Sequence, residues 1–210
     1  MLDEHCHIVW DVDDGSDTLE ESLDMLSAAA AVGITQIVAT PHMRWDDFDN
    51  RKVIEHFNEL AALALERHGI QMWLGYEVYY KTLLRKGLDQ APRFVTAGTN
   101  NMLLEFNSGS VIPDGWEKTF YTLQSTYGLD LTVAHPERYA SVLEDFDIVY
   151  KMKDMGCRIQ VSAGDLFGGM FNAGSRCAKR IIDEGLCDAL VSDAHCVAHY
   201  QDFERALKKL

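Results

Sequence analysis

No apolar run in this sequence approaches the roughly 20 residues that a helix needs to cross a bilayer, so no membrane insertion is expected. Positive charge is scarce: 19 Lys plus Arg stand against 33 Asp plus Glu in 210 residues, a formal net charge of −14. Nucleic acid and anionic membranes both require clustered cationic surface, and neither is an expected partner. Cysteine is sparse, odd in number at five and irregularly spaced, which suits reduced thiols of the cytoplasm better than a disulfide framework. Six positions after each cysteine stand Val12, Ala163, Asp183, Asp193 and Asp202. None is arginine, which excludes a cysteine nucleophile whose phosphate is cradled by an arginine six residues on. No basic stretch leading into an apolar core opens the sequence, so no signal peptide is expected. There is no low-complexity segment and no linker. The length and an apolar content of 47% fit one domain, 1–210, with a sizeable core.

What is present begins with Asp3-Glu4-His5-Cys6-His7-Ile8-Val9-Trp10. In a strand His5 and His7 share one face and Cys6 takes the other, so two imidazoles can reach one cation. After an acidic turn, Asp11 to Gly15, Thr18-Leu19-Glu20-Glu21 reads as a capping box that opens a helix ending at Gly33. Ile34 to Thr40 is a β-branched strand that delivers Pro41 and His42. Asn50 is expected to cap a second helix, which Gly69 stops. Ile70 to Tyr76 is a strand that delivers Glu77, and residues 80–98 are expected to form a short helix and a turn. Asn101 to Leu104 delivers Glu105, a helix follows over Asp114 to Tyr127, and Leu129 to Ala134 delivers His135. One helix over Ala140 to Met155 is followed by a strand at Cys157 to Val161, a turn with Gly168, Gly169 and Gly174, and a helix to Gly185. Leu186 to Val191 then delivers Asp193 and His195 ahead of a final helix. A strand followed by a helix, about seven times, means a parallel sheet. Parallel strands carry their C-terminal ends on one edge, and ligands at nearly every end converge only if that sheet closes. The expected fold is therefore α/β, a seven-stranded (β/α) barrel with its site at the C-terminal face.

Imidazole nitrogen with carboxylate oxygen and no thiolate suits Mn, Fe or Zn. Five histidines (His5, His7, His42, His135, His195) and three carboxylates (Glu77, Glu105, Asp193) are more than one ion can use, particularly one that keeps a position open for water. More than one metal per chain is expected. His56, His68 and His199 lie in helices or their flanks and read as ordinary surface or helix-end residues. Cys6 and Cys196 flank ligands but are expected to face away from them. Trp45, Phe48, Tyr79 and Tyr80 follow ligand-bearing strand ends and are candidates for a lip that stacks a phenol ring, against the ordinary alternative of packing.

The set H-x-H, Thr40-Pro41-His42, Gly75-Tyr76-Glu77, Leu103-Leu104-Glu105-Phe106, Ala134 to Tyr139 (A-H-P-E-R-Y) and Ser192-Asp193-Ala194-His195 resembles the polymerase-and-histidinol-phosphatase superfamily. Asp11 to Ser22 (D-V-D-D-G-x-x-T-x-E-E-S) and A-H-P-E-R-Y are similar to the bacterial manganese-dependent protein-tyrosine phosphatases of capsule and exopolysaccharide operons. The resemblance implies a distorted barrel of this superfamily's type with two or three ions, Mn²⁺ before Fe or Zn. By position, His5, His7, Glu77 and Asp193 would hold one ion, and Glu77 would bridge to a second completed by Glu105 and His135. His42, His195 and Asp14, or the adjacent Asp13, would hold the third. Arg138 would bind the substrate's phosphate, with a structural salt bridge as its alternative, and His42 is counted with it among the catalytic residues. The implied reaction is hydrolysis of phosphotyrosine by metal-activated hydroxide. The implied partner is a phosphotyrosyl protein, a bacterial tyrosine autokinase, in the cytoplasm; a homo-oligomer is left open.

Two departures from the family pattern bear on the phosphate wall. Members usually carry arginine shortly after the last D-A-H motif, where His199-Tyr200 stands, and often a basic residue where Gly168-Gly169-Met170-Phe171 stands. The alternatives are a small-molecule phosphoesterase of the histidinol-phosphate kind and a metal-bound regulatory protein with weak turnover. Asp11-Val12-Asp13 also mimics the D-x-D of haloacid dehalogenases, but Gly15 stands where that family wants Thr or Val, and the terminal histidines would go unexplained.

Overall fold

The structure, a computed structural model, describes residues 1–44, 48–169 and 171–209. Its elements run β1 (Leu2–Cys6), α1 (Leu19–Val32), β2 (Gln36–Ala39), β3 (His42–Met43), α2 (Asn50–His68), β4 (Gln71–Leu74), β5 (Glu77–Tyr79), α3 (Tyr80–Lys86), β6 (Asn101–Glu105), α4 (Trp116–Tyr127), β7 (Asp130–Val133), α5 (Ala140–Glu144), α6 (Asp147–Asp154), β8 (Arg158–Ser162), α7 (Ala173–Asp183), β9 (Ala189–Val191) and α8 (Val197–Leu207). Single 3-10 segments cover Leu88–Phe94, Pro136–Arg138 and Ala163–Phe167.

Half of the capping box forms: Thr18 accepts a hydrogen bond from Glu21 N, whereas Glu21 reaches past the cap to accept from Asp17 N, and Gly33 closes α1 at φ +91°. Asp49, not Asn50, caps α2, accepting from Arg51 N and Lys52 N, while Asn50 accepts from the Tyr76 hydroxyl. The single helix expected over Ala140 to Met155 is two, α5 and α6. Asp145 accepts from Asp147 N at the break, a local side-chain bond that competes with a continuous helix.

Every strand pairing is parallel, as the β-then-α pattern requires. The fold is α/β with a curled parallel sheet, but the seven unbroken strands of the expected barrel are not what forms. The described strands make a three-stranded sheet, β1-β2-β4, and a six-stranded sheet, β3-β5-β6-β7-β8-β9. Two strand runs stop and resume beyond the ends expected of them. Pro41, which has no N–H to give a ladder, separates β2 from β3, and Gly75-Tyr76 separates β4 from β5. The interruptions fall side by side, so that β3 and β5 resume together with His42 opposite Glu77. Beyond the sheets, Cys6 makes an isolated parallel bridge to Ala194, Asp193 N donates to His5 O (2.9 Å) and His7 N to Ala194 O (2.8 Å). The first strand thereby meets the segment that follows the last.

Two apolar clusters cover this sheet. Met25, Leu26 and Ala29 of α1 and Tyr200, Phe203 and Ala206 of α8 pack on Cys6, Ile8 and Ile37. Phe120 of α4 and Ile181 of α7 join Phe106, Leu131 and Ile159. Among the described residues no helix is long and apolar enough to cross a membrane.

Candidate metal centre

The C-terminal edge of the sheet gathers the strand-end residues into a cavity of about 340 Å³ lined by Asp14, His42, Glu77, Glu105, His135, Arg138, Asp193 and His195, together with Arg44, Tyr79, Asn107 and Ser108. At its floor His5 Nε2 lies 3.2 Å from His7 Nε2, and both approach Glu77 Oε2 (3.4 and 3.3 Å) and Asp193 Oδ1 (3.5 Å each). Donors roughly 2.0–2.2 Å from one tetrahedral ion stand about 3.3–3.6 Å apart, so these five separations are close to those a cation would impose. Glu77 Oε2 and His42 Nδ1 are buried, 2.8 Å apart and without a hydrogen bond. Native interiors rarely leave such atoms unpaired. The donor set and the two orphaned atoms both fit a metal ion.

The third group expected from the sequence also meets: His42 Nε2 and His195 Nε2 lie 3.2 and 3.6 Å from Asp14 Oδ1, with His7 close enough to share the cluster. The second group is gathered less completely. His135 Nε2 lies 2.7 Å from Glu77 Oε1 and clusters with His5, whereas Glu105 clusters with His42 and Glu77. Asp13 and Asp14 part company. Asp13 Oδ2 accepts from His7 Nδ1 (2.8 Å) and His42 N (2.9 Å) behind the imidazoles, while Asp14 faces the cavity with 54% of its side chain exposed. Gly15 permits this turn, since a Cβ there would fall 2.0 Å from His7 O.

Outer bonds orient the rings. His5 Nδ1 pairs with Gln160 Oε1 (3.2 Å), His7 Nδ1 with Asp13, and His195 Nδ1 with Asp193 O (2.9 Å). A proton held on Nδ1 leaves the Nε2 lone pair for a cation. Burial would raise the Glu77 and Asp193 carboxyls. His5, His42 and His135 hold Glu77 well below the usual range, and His5, His7 and Arg138 do the same for Asp193. His135 (φ +30°) and Asp193 (φ +48°) sit in the left-handed region that side chains other than glycine rarely enter, a cost that functional sites commonly carry.

The sequence profile of the capsular polysaccharide synthesis family CpsB/CapC matches residues 1–205. The chain belongs to that family. It is 31% identical over 207 residues to the tyrosine-protein phosphatase CpsB of Streptococcus agalactiae, covering 93% of this chain and 83% of that protein. To the tyrosine-protein phosphatase YwqE of Bacillus subtilis it is 29% identical over 202 residues, 94% of this chain and 78% of that one. A crystal structure from a study of YwqE from B. subtilis and CpsB from Streptococcus pneumoniae, described as unique metal-dependent tyrosine phosphatases, matches all of this chain and 87% of its own at a TM-score of 0.85 and 30% identity. Histidinol phosphate phosphatase of Lactococcus lactis (TM-score 0.58, 14% identity, covering 99% of this chain and 92% of its own) shares the fold alone. The family resemblance read from the motifs holds.

For this CpsB/CapC chain the remaining expectations divide. Arg138 lines the cavity, yet its Nε donates to Asp165 (2.6 Å) and Nη2 lies 2.7 Å from Asp193 Oδ2, so it belongs to a salt bridge and to the cavity wall at once. Tyr200 is fully buried beside Cys6 and Asp3. It faces the core, so an arginine at that position would not reach the cavity. Tyr79 lines the cavity. Tyr80 is a core residue, and Phe48 packs edge-on against Tyr76 and Phe94. Trp45 and Met170 lie outside the described residues. Cys6 faces the core as expected, and Cys196 is exposed. His56 stacks on Trp10 and bonds its carbonyl, and His199 Nδ1 accepts from His195 N. Pattern reading missed Arg44, Gln160 and Asp165. For Gln160 the signal was there: a lone amide between Ile159 and Val161 in a strand leading to the site.

Proposed function

We propose that the chain removes phosphate from phosphotyrosyl proteins through two or three divalent ions, manganese before iron or zinc. Its proposed partner is a bacterial tyrosine autokinase of capsule or exopolysaccharide assembly, met in the cytoplasm. The observation that carries this reading is the meeting of four donor atoms, from His5, His7, Glu77 and Asp193, at 3.2–3.5 Å in a buried floor. These four would hold the first ion. Glu77, Glu105 and His135 would hold the second, and His42, His195 and Asp14 the third. Divalent ions in such a site supply Lewis acidity toward phosphoryl oxygens and bring the pKa of bound water toward about 7.

The chain's own residues do the rest. Arg138, tied at Nε to Asp165 and at Nη2 to Asp193, offers its remaining N–H groups to phosphate oxygens in a fixed plane. Asp13, Gln160 and the Asp193 carbonyl keep three imidazoles in the tautomer that coordinates. Tyr79 supplies an aromatic wall to the cavity, where the tyrosyl ring would lie. A phenol leaves with a free pKa of about 10, so this substrate demands less of a general acid than an alkyl phosphate. We count residues 1–210 as one phosphoesterase domain. In it β2 with β3 and β4 with β5 act as two interrupted strands, and the Cys6–Ala194 bridge closes a seven-stranded barrel.

The test is metal analysis and turnover on protein purified without chelator. More than one transition-metal ion per chain is expected, with Mn²⁺-supported hydrolysis of phosphotyrosyl peptides. Changing His5 and His7 together to alanine should abolish both, with the circular dichroism spectrum retained. Parental turnover in that double mutant would sink the metal-centred reading. Clear preference for histidinol-type alkyl phosphates would favour a small-molecule substrate, and inactivity with every metal would favour a regulatory role.

A further inference from the structure

Arg44 follows β3 by one residue and enters the same cavity as Arg138. Its backbone is pinned, because the buried Thr82 hydroxyl of α3 donates to Arg44 O. Its guanidinium is not buried: 29% of the side chain is exposed, the same share as for Arg138. Nη2 lies 3.1 Å from His42 Nε2 and 3.1 and 3.2 Å from the two oxygens of Glu105, and Nη1 lies 3.6 Å from Asp14 Oδ2. Arg138 is held by Asp165 and Asp193, so the two guanidiniums stand in one cavity on separate pairs of carboxylates.

We propose that Arg44 is a second phosphate-binding arginine of this site, gripping the substrate's phosphoryl oxygens together with Arg138. The inference rests on the phosphatase reading above and extends it to a residue with no place in the motifs. A guanidinium placed only to neutralise Glu105 would have no reason to donate to a histidine nitrogen as well. The lone pairs it uses, on His42 Nε2 and Glu105, are those a cation in this site would use, so arginine and cation compete for them. A guanidinium displaced from those atoms stays tethered at its backbone and beside Asp14, where oxygens of a phosphate in the cavity come within its reach. Asp14, Glu77, Glu105 and Asp193 all line the cavity, so a second guanidinium beside the divalent ions adds to the attraction for a phosphate dianion. The planar fork of arginine matches two phosphate oxygens, which an ammonium does not.

The test separates phosphate from metal. Inorganic phosphate binding is measured by calorimetry at saturating Mn²⁺ for the parent, Arg44→Ala, Arg44→Gln and Arg44→Lys. Mn²⁺ binding is measured separately on chelator-stripped protein. Arg44→Ala and Arg44→Gln should weaken phosphate about tenfold or more and raise KM for phosphotyrosyl peptide in parallel, with Arg44→Lys recovering only part. Mn²⁺ binding should tighten or stay as in the parent, because a competing cation has gone. The neutral Arg44→Gln, closest in shape, keeps the comparison valid if the alanine variant folds poorly. Phosphate affinity equal to the parent's together with weaker Mn²⁺ binding would overturn the proposal and make Arg44 a structural partner of Glu105. A parent that binds phosphate and turns over while the variants match it refutes Arg44 alone. A parent that does neither refutes the phosphatase reading and this proposal with it.

Discussion

The floor of the cavity and its rim use the same side-chain types in opposite physical settings. On the floor, His5, His7 and Glu77 are fully excluded from solvent and each is held by other groups: Gln160 and Asp13 behind the rings, His135 against the carboxylate. On the rim, Asp14 is half exposed and His195 partly so, and Arg44 crosses between them and Glu105. Buried donors lose little entropy when they bind a cation and bind it tightly. Exposed ones are screened by water and can be exchanged. The difference suggests a division of labour in which the floor would hold its ion firmly and the rim would exchange its own.

The arginine anchored to the floor gives the sharpest contrast. Arg138→Ala should lower kcat/KM roughly a hundredfold or more, the worth of a bidentate charge-assisted pair that tightens in the transition state. Arg138→Lys should recover only part. If steady-state kinetics at saturating metal place Arg138→Ala within about threefold of the parent, its bonds to Asp165 and Asp193 are its whole role.

A middle-sized effect tests orientation. Asp13→Ala removes the acceptor for His7 Nδ1 without touching the cavity and should cost about 10–100-fold in metal affinity. Asp14→Ala at the rim should cost less, because its carboxylate is already half solvated. Metal titration of both variants decides, and the reverse order would abolish the distinction between floor and rim.

The smallest effect concerns sulfur. Burial pushes the Cys157 and Cys177 thiols up to about 12 and Cys187 to about 11, and raises Cys6 behind the floor as well. These thiols stay protonated at pH 8, and the thiolate is the reactive form. Iodoacetamide on the native protein should therefore label Cys196, beside rim residue His195, and spare Cys6, as peptide mass mapping would show. Cys196→Ser should turn over within about twofold of the parent, since no cysteine lines the cavity. Loss of activity in that variant would put sulfur into the chemistry.

What could be read from the sequence was what is local. The later candidate ligands, from His42 to His195, close apolar runs, and the period of two in the first strand already put His5 and His7 on one face. The interruption of two strands was less visible, because Pro41 reads equally well as the end of a strand and Gly75-Tyr76 as its last residues. Side-chain direction outside the regular strands could not be read. Asp13 and Asp14 are neighbours in an acidic turn, and only the fold of that turn over Gly15 sends one behind His7 and the other into the cavity. Tyr200 looked like a place where an arginine was missing, yet its helix turns it into the core. Arg44 carries no motif and is recognised only by the company it keeps.

One contact bears on how such a protein comes into being. The floor joins residues 5 and 7 to residue 193, and the Ser192 hydroxyl bonds His5 O across a separation of 187 residues. Closing so long a loop is entropically costly and comes late in folding. A nascent chain that has exposed only its first histidines offers a stray ion two lone pairs and no carboxylate clasp. The high-affinity seat takes shape only after nearly all the strands have docked. A metal held by these residues would thereby be bound by the finished fold rather than during synthesis.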